Sequence, residues 1–434
     1  MSLPNKKVIN GWAMYDWANS VYNLVITTTF FPLYYIGVTH ARYPDDNVPF
    51  LGMTLKNSVL FDYALSFAYL LIVLSLPILS SIADTRGNKK NFLRFFCYIG
   101  GIACSALFFF DENSIPLGIA CFMIAAIGYS GGLVFYNSYL PEIAPVELRD
   151  RVSARGYSLG YIGSVILQLV GFALVLSADA LGISTGKALQ ITFLLVGIWW
   201  IGFAQITFAR LPPSQPAVEK HFAGVFTEGF IELKKVFAQV RTMPVLKRYL
   251  RGFFFYSMGV QTVMMVATIF GTKELKLGDT ELIGTVVAIQ VVAILGAWGM
   301  ARLAERFGNF HVLIATVILW IGVCFGAYNT HTVTEFYILA VLVGLVMGGI
   351  QSVSRSTYAK LIPETRDTTS FFSYYDVTEK LAIVLGLFSF GWIDQEFGMR
   401  NSVLVLILFF SVGLIWLFSA LYKQRRLAYA TTHN

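Results

Sequence analysis

The chain reads as an all-α membrane protein with twelve transmembrane helices in two six-helix bundles. Three observations predict this. Apolar residues make up 56% of the 434 residues and charged residues only 13%, where a soluble domain carries about 25% charged, and the mean hydropathy is +0.65. Apolar runs of about 20 residues, the length that crosses a bilayer core, recur along the whole sequence. Finally, a set of punctuating residues repeats at about half the chain length: Gly131-Gly132 returns as Gly348-Gly349, Arg149-Asp150 as Arg366-Asp367 and Ser153 as Ser370, each 217 residues on. A half-length repeat in so apolar a chain implies two homologous bundles.

The spans fall near 12–37, 58–82, 93–110, 115–140, 156–176 and 188–208 in the first half. In the second they fall near 252–272, 281–302, 312–328, 335–358, 372–393 and 401–422. The expected division is a six-helix bundle over 1–210, a cytoplasmic linker over 211–248 and a second bundle over 249–434. The first span is too long and too polar for a signal-peptide core, with Asp16, Asn19 and Asn23, and is expected to stay in the mature protein. With both termini inside, twenty-four lysines and arginines fall on the cytoplasmic side and six outside, a clear positive-inside bias. The net charge of +7 is therefore topological and calls for no nucleic-acid partner. Cys97, Cys104, Cys121 and Cys324 all fall within spans, contain no C-x-x-C, and read as small core residues.

In the linker, the run Leu211-Pro212-Pro213-Ser214-Gln215-Pro216 breaks the helix. After it Phe222, Val225, Phe226, Phe230, Leu233 and Phe237 fall at helical spacing opposite Glu232, Lys234, Lys235 and Gln239. This predicts an amphipathic helix on the cytoplasmic leaflet that tethers the bundles; a regulatory-partner site is the alternative.

A second repeat pairs Ala83-Asp84-Thr85-Arg86-Gly87-Asn88-Lys89-Lys90 with Ala304-Glu305-Arg306-Phe307-Gly308-Asn309, offset by 221. Each loop follows the second span of its half. The first resembles the major-facilitator signature G-x-x-x-D-R-x-G-R-[KR], keeping Asp84, Gly87 and Lys89 but with Ser80, Thr85 and Asn88 at the other positions. Asp84, Arg86 and Gly87, with Glu305, Arg306 and Gly308, are the expected gating loops. A carboxylate there can sit against a helix N-terminus, that of the eleventh span for Asp84 and of the fifth for Glu305. The alternative is a short basic loop needed only for topology.

Two spans carry the polar chemistry. Asp16, Asn19, Ser20, Asn23 and Thr27 of the first span share one ~100° arc at 3.6 residues per turn, a face that lipid will not accept. Asn19 and Asn23 lie deep enough to touch a solute, while Asp16 near the membrane edge serves either transport or a structural hydrogen bond. In the eleventh span Asp376 and Lys380 stand one turn apart with the acid first. Glu379 shares their face and lacks a local partner, which Arg355 in the tenth span could supply. The cluster either moves a proton or is a static network.

No phosphate-binding loop is present: Gly182-Ile183-Ser184-Thr185-Gly186-Lys187-Ala188 has short spacing and lacks the final Ser/Thr. All five histidines fall in loops or the tail, so neither a metal nor another cofactor is expected.

Gly11-Trp12-Ala13-Met14-Tyr15-Asp16-Trp17-Ala18-Asn19-Ser20 resembles the opening helix of the vacuolar amino-acid effluxer-like (autophagy-related permease) family, which has many bacterial members. Further matches are Leu140-Pro141-Glu142-Ile143-Ala144-Pro145, Gly259-Val260-Gln261-Thr262, Ser354-Arg355-Ser356 and Tyr375-Asp376-Val377 with Lys380. The resemblance implies a major-facilitator fold and export-type movement of amino acids by alternating access in a bacterial inner membrane, with a monomer, a small solute and protons as the participants. Asn19, Asn23, Gln261 and Gln351 are expected to line the solute site, with Arg355 receiving a carboxylate, and Asp16, Asp376, Glu379 and Lys380 to form the coupling network. Relatives carry an Asn-Asp pair where this chain has Ser257-Met258, and a small residue at 379, so Glu379 stands as a local replacement for the missing acid. A passive facilitator, or a non-transporting sensor on the same fold, are the alternatives.

Overall fold

The computed structural model describes residues 5–216 and 225–432. Twelve helical rods that carry the predicted spans are found among them, besides the linker helix Val225–Thr242. The first is continuous from Lys6 to Arg42 and consists of α1 (Lys6–Val21), a π-helical stretch over Tyr22–Phe30, and α2 (Phe31–Arg42). An antiparallel hairpin of β1 (Asn47–Phe50) and β2 (Met53–Lys56) follows. Next come α3 (Asn57–Arg86), α4 (Lys89–Ala106), α5 (Ile115–Asn137), the short α6 (Leu140–Ile143), α7 (Arg149–Leu176) and α8 (Thr185–Arg210). The remaining helices are α9 (Val225–Thr242), α10 (Pro244–Leu275), α11 (Asp279–Phe307), α12 (Asn309–Asn329), α13 (Val333–Leu361), α14 (Thr368–Phe397) and α15 (Met399–Thr432).

Each of the twelve predicted spans lies on one of these rods. Ten of the rods are long and apolar enough to cross a membrane; the other two are α10 and α14, and α14 carries Asp376, Glu379 and Lys380 in mid-helix. Helix ends run beyond the apolar stretches. The fifth rod begins at Arg149, with Asp150 in its first turn, where an anion meets the positive end of the helix dipole.

The chain forms two compact units. The first contains Asn5–Tyr136 and Leu159–Pro216; the second contains Asn137–Ser158 and Ala217–Asn434. The division at 1–210 and 249–434 assigns residues 137–158 to the first half, whereas their contacts group them with the second.

In the first unit α1 packs on α8. Trp17 stacks on Trp199 at 5.2 Å, the Trp199 indole donates to Trp17 O at 3.0 Å, and the Thr207 hydroxyl donates to Gly11 O at 2.7 Å. Phe31 lies flat on Phe122 at 4.3 Å. In the second unit α11 and α13 approach until backbone meets backbone. A Cβ at Gly348 would overlap the Ala293 carbonyl, and one at Gly296 would overlap that of Leu345. The repeated glycines of the sequence are thus packing residues, because Gly131 likewise leaves room for the Phe96 ring. Gly348→Val should cost about 3 kcal/mol of overpacking strain and lower the thermal unfolding midpoint of the purified protein. Gly322→Ala, which meets open space, should leave the midpoint unchanged or raise it.

The loop repeat also has a backbone cause. Gly87 ends α3 at φ 64° and Gly308 ends α11 at φ 86°, conformations that side chains other than glycine rarely adopt.

Helix α9 bears the second half of the predicted amphipathic segment; Phe222 lies outside the described residues. Val236 and Val240 are buried, whereas Phe230, Ile231 and Phe237 are exposed. The helix is fastened to α14 by Lys235, whose ammonium lies 3.3 Å from Asp367 Oδ2, and by Phe237 stacked on Tyr374.

Candidate functional site

The charged turn of α14 is the best-defined polar centre inside a span. The i, i+4 spacing of Asp376 and Lys380 puts the two side chains on one face. The Lys380 ammonium lies 3.4 Å from Asp376 Oδ1 and 3.3 Å from Glu379 Oε2. Asp376 and Lys380 are almost fully buried, while Glu379 keeps a fifth of its side chain accessible. From α10, Gln261 donates to Glu379 Oε1 at 3.2 Å. One turn further, Gln351 of α13 donates to the Met264 sulfur at 3.5 Å. Gln261, Asp376, Glu379 and Lys380 are therefore brought together within the second unit, while Gln351 meets α10 at Met264, one turn along from Gln261. Ser257 lies one turn before Gln261 on α10.

Arg355 is turned elsewhere. Offered by the sequence as a partner for Glu379 or a solute carboxylate, its guanidinium is 1% exposed and committed to the Asn137–Ser158 segment. Nε donates to Ser153 Oγ at 3.0 Å, Nη2 to Ser153 O at 2.7 Å and Nη1 to Asn137 Oδ1 at 3.2 Å. Its plane also lies over the Tyr157 ring at 4.1 Å. These acceptors are neutral, and their hydrogen bonds and the π face help to hold the charge.

The same segment supplies three further ties. Arg149 donates to Ala359 O at 2.7 Å, and to Pro141 O and Ala144 O within its own stretch. Asp150, whose side chain has no exposed surface, pairs with Lys360 and accepts from Asn309 at 2.8 Å. Arg151 grips Glu305 with two contacts of 2.6 and 2.7 Å. Glu305 thus meets the first turn of α7, the fifth span, while Arg306 is exposed over Phe307. In the first unit Asp84 is buried in the last turn of α3, with Arg86 and the capping Gly87 beside it.

The polar stripe of the first span is interrupted. Up to Val21 the helix is α, but Tyr22–Phe30 bonds in the i→i+5 pattern, which winds more residues into each turn. The phase error accumulates along the stretch, so Asn23, its second residue, stays near the arc of Asp16 and Asn19 while Thr27 drifts further from Asp16. Asp16 accepts from the Tyr136 hydroxyl at 2.8 Å, and Tyr136 is clamped by Trp12, whose indole donates to Tyr136 O at 2.9 Å. Asn19 is wholly buried and neither amide atom meets a partner, whereas Asn23 is half-buried. The Thr29 hydroxyl reaches back five residues to Leu24 O at 2.9 Å and accepts from Gln168. Sequence reasoning missed the π stretch; the one available signal is the β-branched run Val25-Ile26-Thr27-Thr28-Thr29, which crowds an α-helix.

Long apolar rods, a buried charged turn on one of them and duplicated glycine-capped loops define a membrane secondary transporter of the major-facilitator type. Solved structures agree on the fold. The human organic anion transporter MFSD10 (TETRAN) superposes with a TM-score of 0.73 at 12% identity, covering 96% of this chain and 100% of that one. FucP in its outward conformation gives 0.71 at 13%, covering 96% and 99%. By sequence the chain belongs to the vacuole effluxer Atg22 like family, whose model matches residues 4–428. Among its relatives, the uncharacterized MFS-type transporter YxiO of Bacillus subtilis (strain 168) is 33% identical over 415 residues, spanning 94% of this chain and 93% of the relative. Autophagy-related protein 22 of Saccharomyces cerevisiae (strain ATCC 204508 / S288c) is 26% identical over 470 residues, spanning 91% and 88%.

Proposed function

We propose that the chain is a proton-coupled exporter of small amino compounds, with amino acids the leading class, working by alternating access in a bacterial inner membrane with both termini in the cytoplasm. The charged turn on α14 carries this reading. Ionisable groups within a membrane span are costly, at roughly 2.5–3.5 kcal/mol each on insertion scales, and mark solute or proton paths. Here two acids face one lysine, with Glu379 still accessible. Uptake and release of a proton at Glu379 is the coupling event. Asp376 and Lys380 hold it in place, while Gln261, Gln351 and Asn23 contact the solute. Asp16 and Asn19 steady the first rod from within its unit. The loops of Asp84, Arg86 and Gly87 and of Glu305, Arg306 and Gly308 act as gates, and 1–210 and 249–434 are the halves that move, joined by 211–248. Support for export comes from the effluxer description of the matching family, and support for the orientation from the basic loops.

The test is flux in proteoliposomes loaded with a mixture of labelled amino acids, with and without an imposed pH gradient. Wild-type flux should follow the gradient, and Glu379→Gln should lose that dependence. Moving the acid, with Met258→Asp added to Glu379→Ala, should restore it. Gradient-driven flux that is unchanged in Glu379→Gln would remove Glu379 from coupling. Wild-type flux that ignores the gradient would make the protein a facilitator.

A further inference from the structure

The α14 turn has a charge surplus that its own residues do not balance. Lys380 is shared between two carboxylates, at 3.4 Å from Asp376 and 3.3 Å from Glu379, so the three side chains sum to one negative charge. Asp376 Oδ2 is buried and has no hydrogen-bond partner, although the residue is only 3% exposed. Glu379 receives one neutral donor, Gln261. Among the described residues the contacts around the pair bring no second cation to it. Helix α10 presents Tyr256 and Gln261, and α13 presents Tyr358 and Arg355, whose guanidinium is engaged by Ser153 and Asn137. The start of α7 contributes Tyr157, α9 spends Lys235 on Asp367, and α15 has no acid or base between Asn401 and Leu421. Burying a carboxylate oxygen without a donor is costly, and a cation placed against it offsets that cost.

We infer that this turn binds the ammonium group of the transported solute, so that the ligands are small primary amines, including amino acids and their esters, recognised at the amine end and without need of a carboxylate. The inference rests on the amino-compound reading above and goes beyond it by naming which end is read. An ammonium can donate to Asp376 Oδ2 and to the accessible edge of Glu379, completing a site of two acids and two cations. A proton on either acid removes that charge, so proton and solute compete for one place. Exchange of one for the other follows without any further device. Arg355, bound to neutral acceptors of the Asn137–Ser158 segment, does not supply a carboxylate site.

Ligand chemistry separates the outcomes. The purified full-length protein is titrated by calorimetry with alanine, norleucine and phenylalanine, each as free amino acid, methyl ester and N-acetyl derivative. The esters should bind at least as well as the free amino acids, and the N-acetyl derivatives, which lack the ammonium, at least about tenfold more weakly. Affinity should fall as pH is lowered, by up to about tenfold per unit if one proton is displaced, and titrations in two buffers of different ionisation enthalpy should report proton release. Glu379→Gln should abolish the preference for ester over N-acetyl derivative. Asp376→Asn should do the same if it folds, and Glu379→Gln carries the test if it does not. N-acetyl derivatives that bind as well as the free amino acids, or esters that fail where free amino acids bind, would overturn the ammonium assignment and leave the amino-acid reading standing. If no member of the panel binds at any pH, the amino-acid reading itself falls, and the inference with it.

Discussion

Arg355→Ala should be the most damaging single change among the polar residues of the spans, with an expected loss of about 3–5 kcal/mol. The substitution removes three charge-assisted bonds, each worth about 1.5–3 kcal/mol when both ends are buried, and leaves Ser153 O, Ser153 Oγ and Asn137 Oδ1 to find other donors. It also strips the Tyr157 face of its cation. Arg355→Lys should recover only part of the loss, because a point charge cannot span the fork from Ser153 to Asn137. The check is the thermal unfolding midpoint of the purified variants, with Ser153→Ala as a milder companion. Equal midpoints for Arg355→Ala and wild type would show that the guanidinium bonds contribute nothing net to the fold.

Lys360→Met should come second. It leaves Asp150 as a charge with no exposed side-chain surface and only Asn309 for company, at a cost of about 3–5 kcal/mol. The double variant Asp150→Leu with Lys360→Met should regain most of that, since neither member is then buried unpaired; the comparison is a double-mutant cycle on the same unfolding measurement. Burial decides the contrast with Arg151–Glu305. That pair is two-pronged, but Arg151 is two-thirds exposed, so Glu305→Gln should change stability by about 1 kcal/mol or less. A larger loss in Glu305→Gln than in Lys360→Met would reverse this ranking of the ties that hold the Asn137–Ser158 segment.

The rods were legible in the sequence because an apolar run of bilayer length has few other uses, and their ends were less so because the polar turns at Arg149 and Thr368 are helical without being apolar. The α14 cluster was legible through a local rule, the i, i+4 spacing of Asp376 and Lys380. Partners distant in sequence were not. Nothing in the neighbourhood of Arg355 points to Ser153 or Asn137, some 200 residues away, whose bonds engage its buried side chain. Phase was the other loss. A helical wheel assumes one winding throughout, and the π stretch at Tyr22–Phe30 breaks that assumption along the polar face, with an error that grows from Asn23 to Thr27.

The bond from Lys235 to Asp367, with Val236 and Val240 tucked in beside it, bears on how such a gene may be divided. A chain interrupted just ahead of Val225 keeps α9 covalently joined to α10 and still clasping the start of α14. Interrupted between Thr242 and Pro244, it hands α9 to the other fragment, which must then recover the clasp by diffusion. Two separately translated pieces should therefore reassemble into a working transporter when the break precedes α9 and do so poorly when it follows. Gene fission or fusion along this lineage would be constrained to the first position.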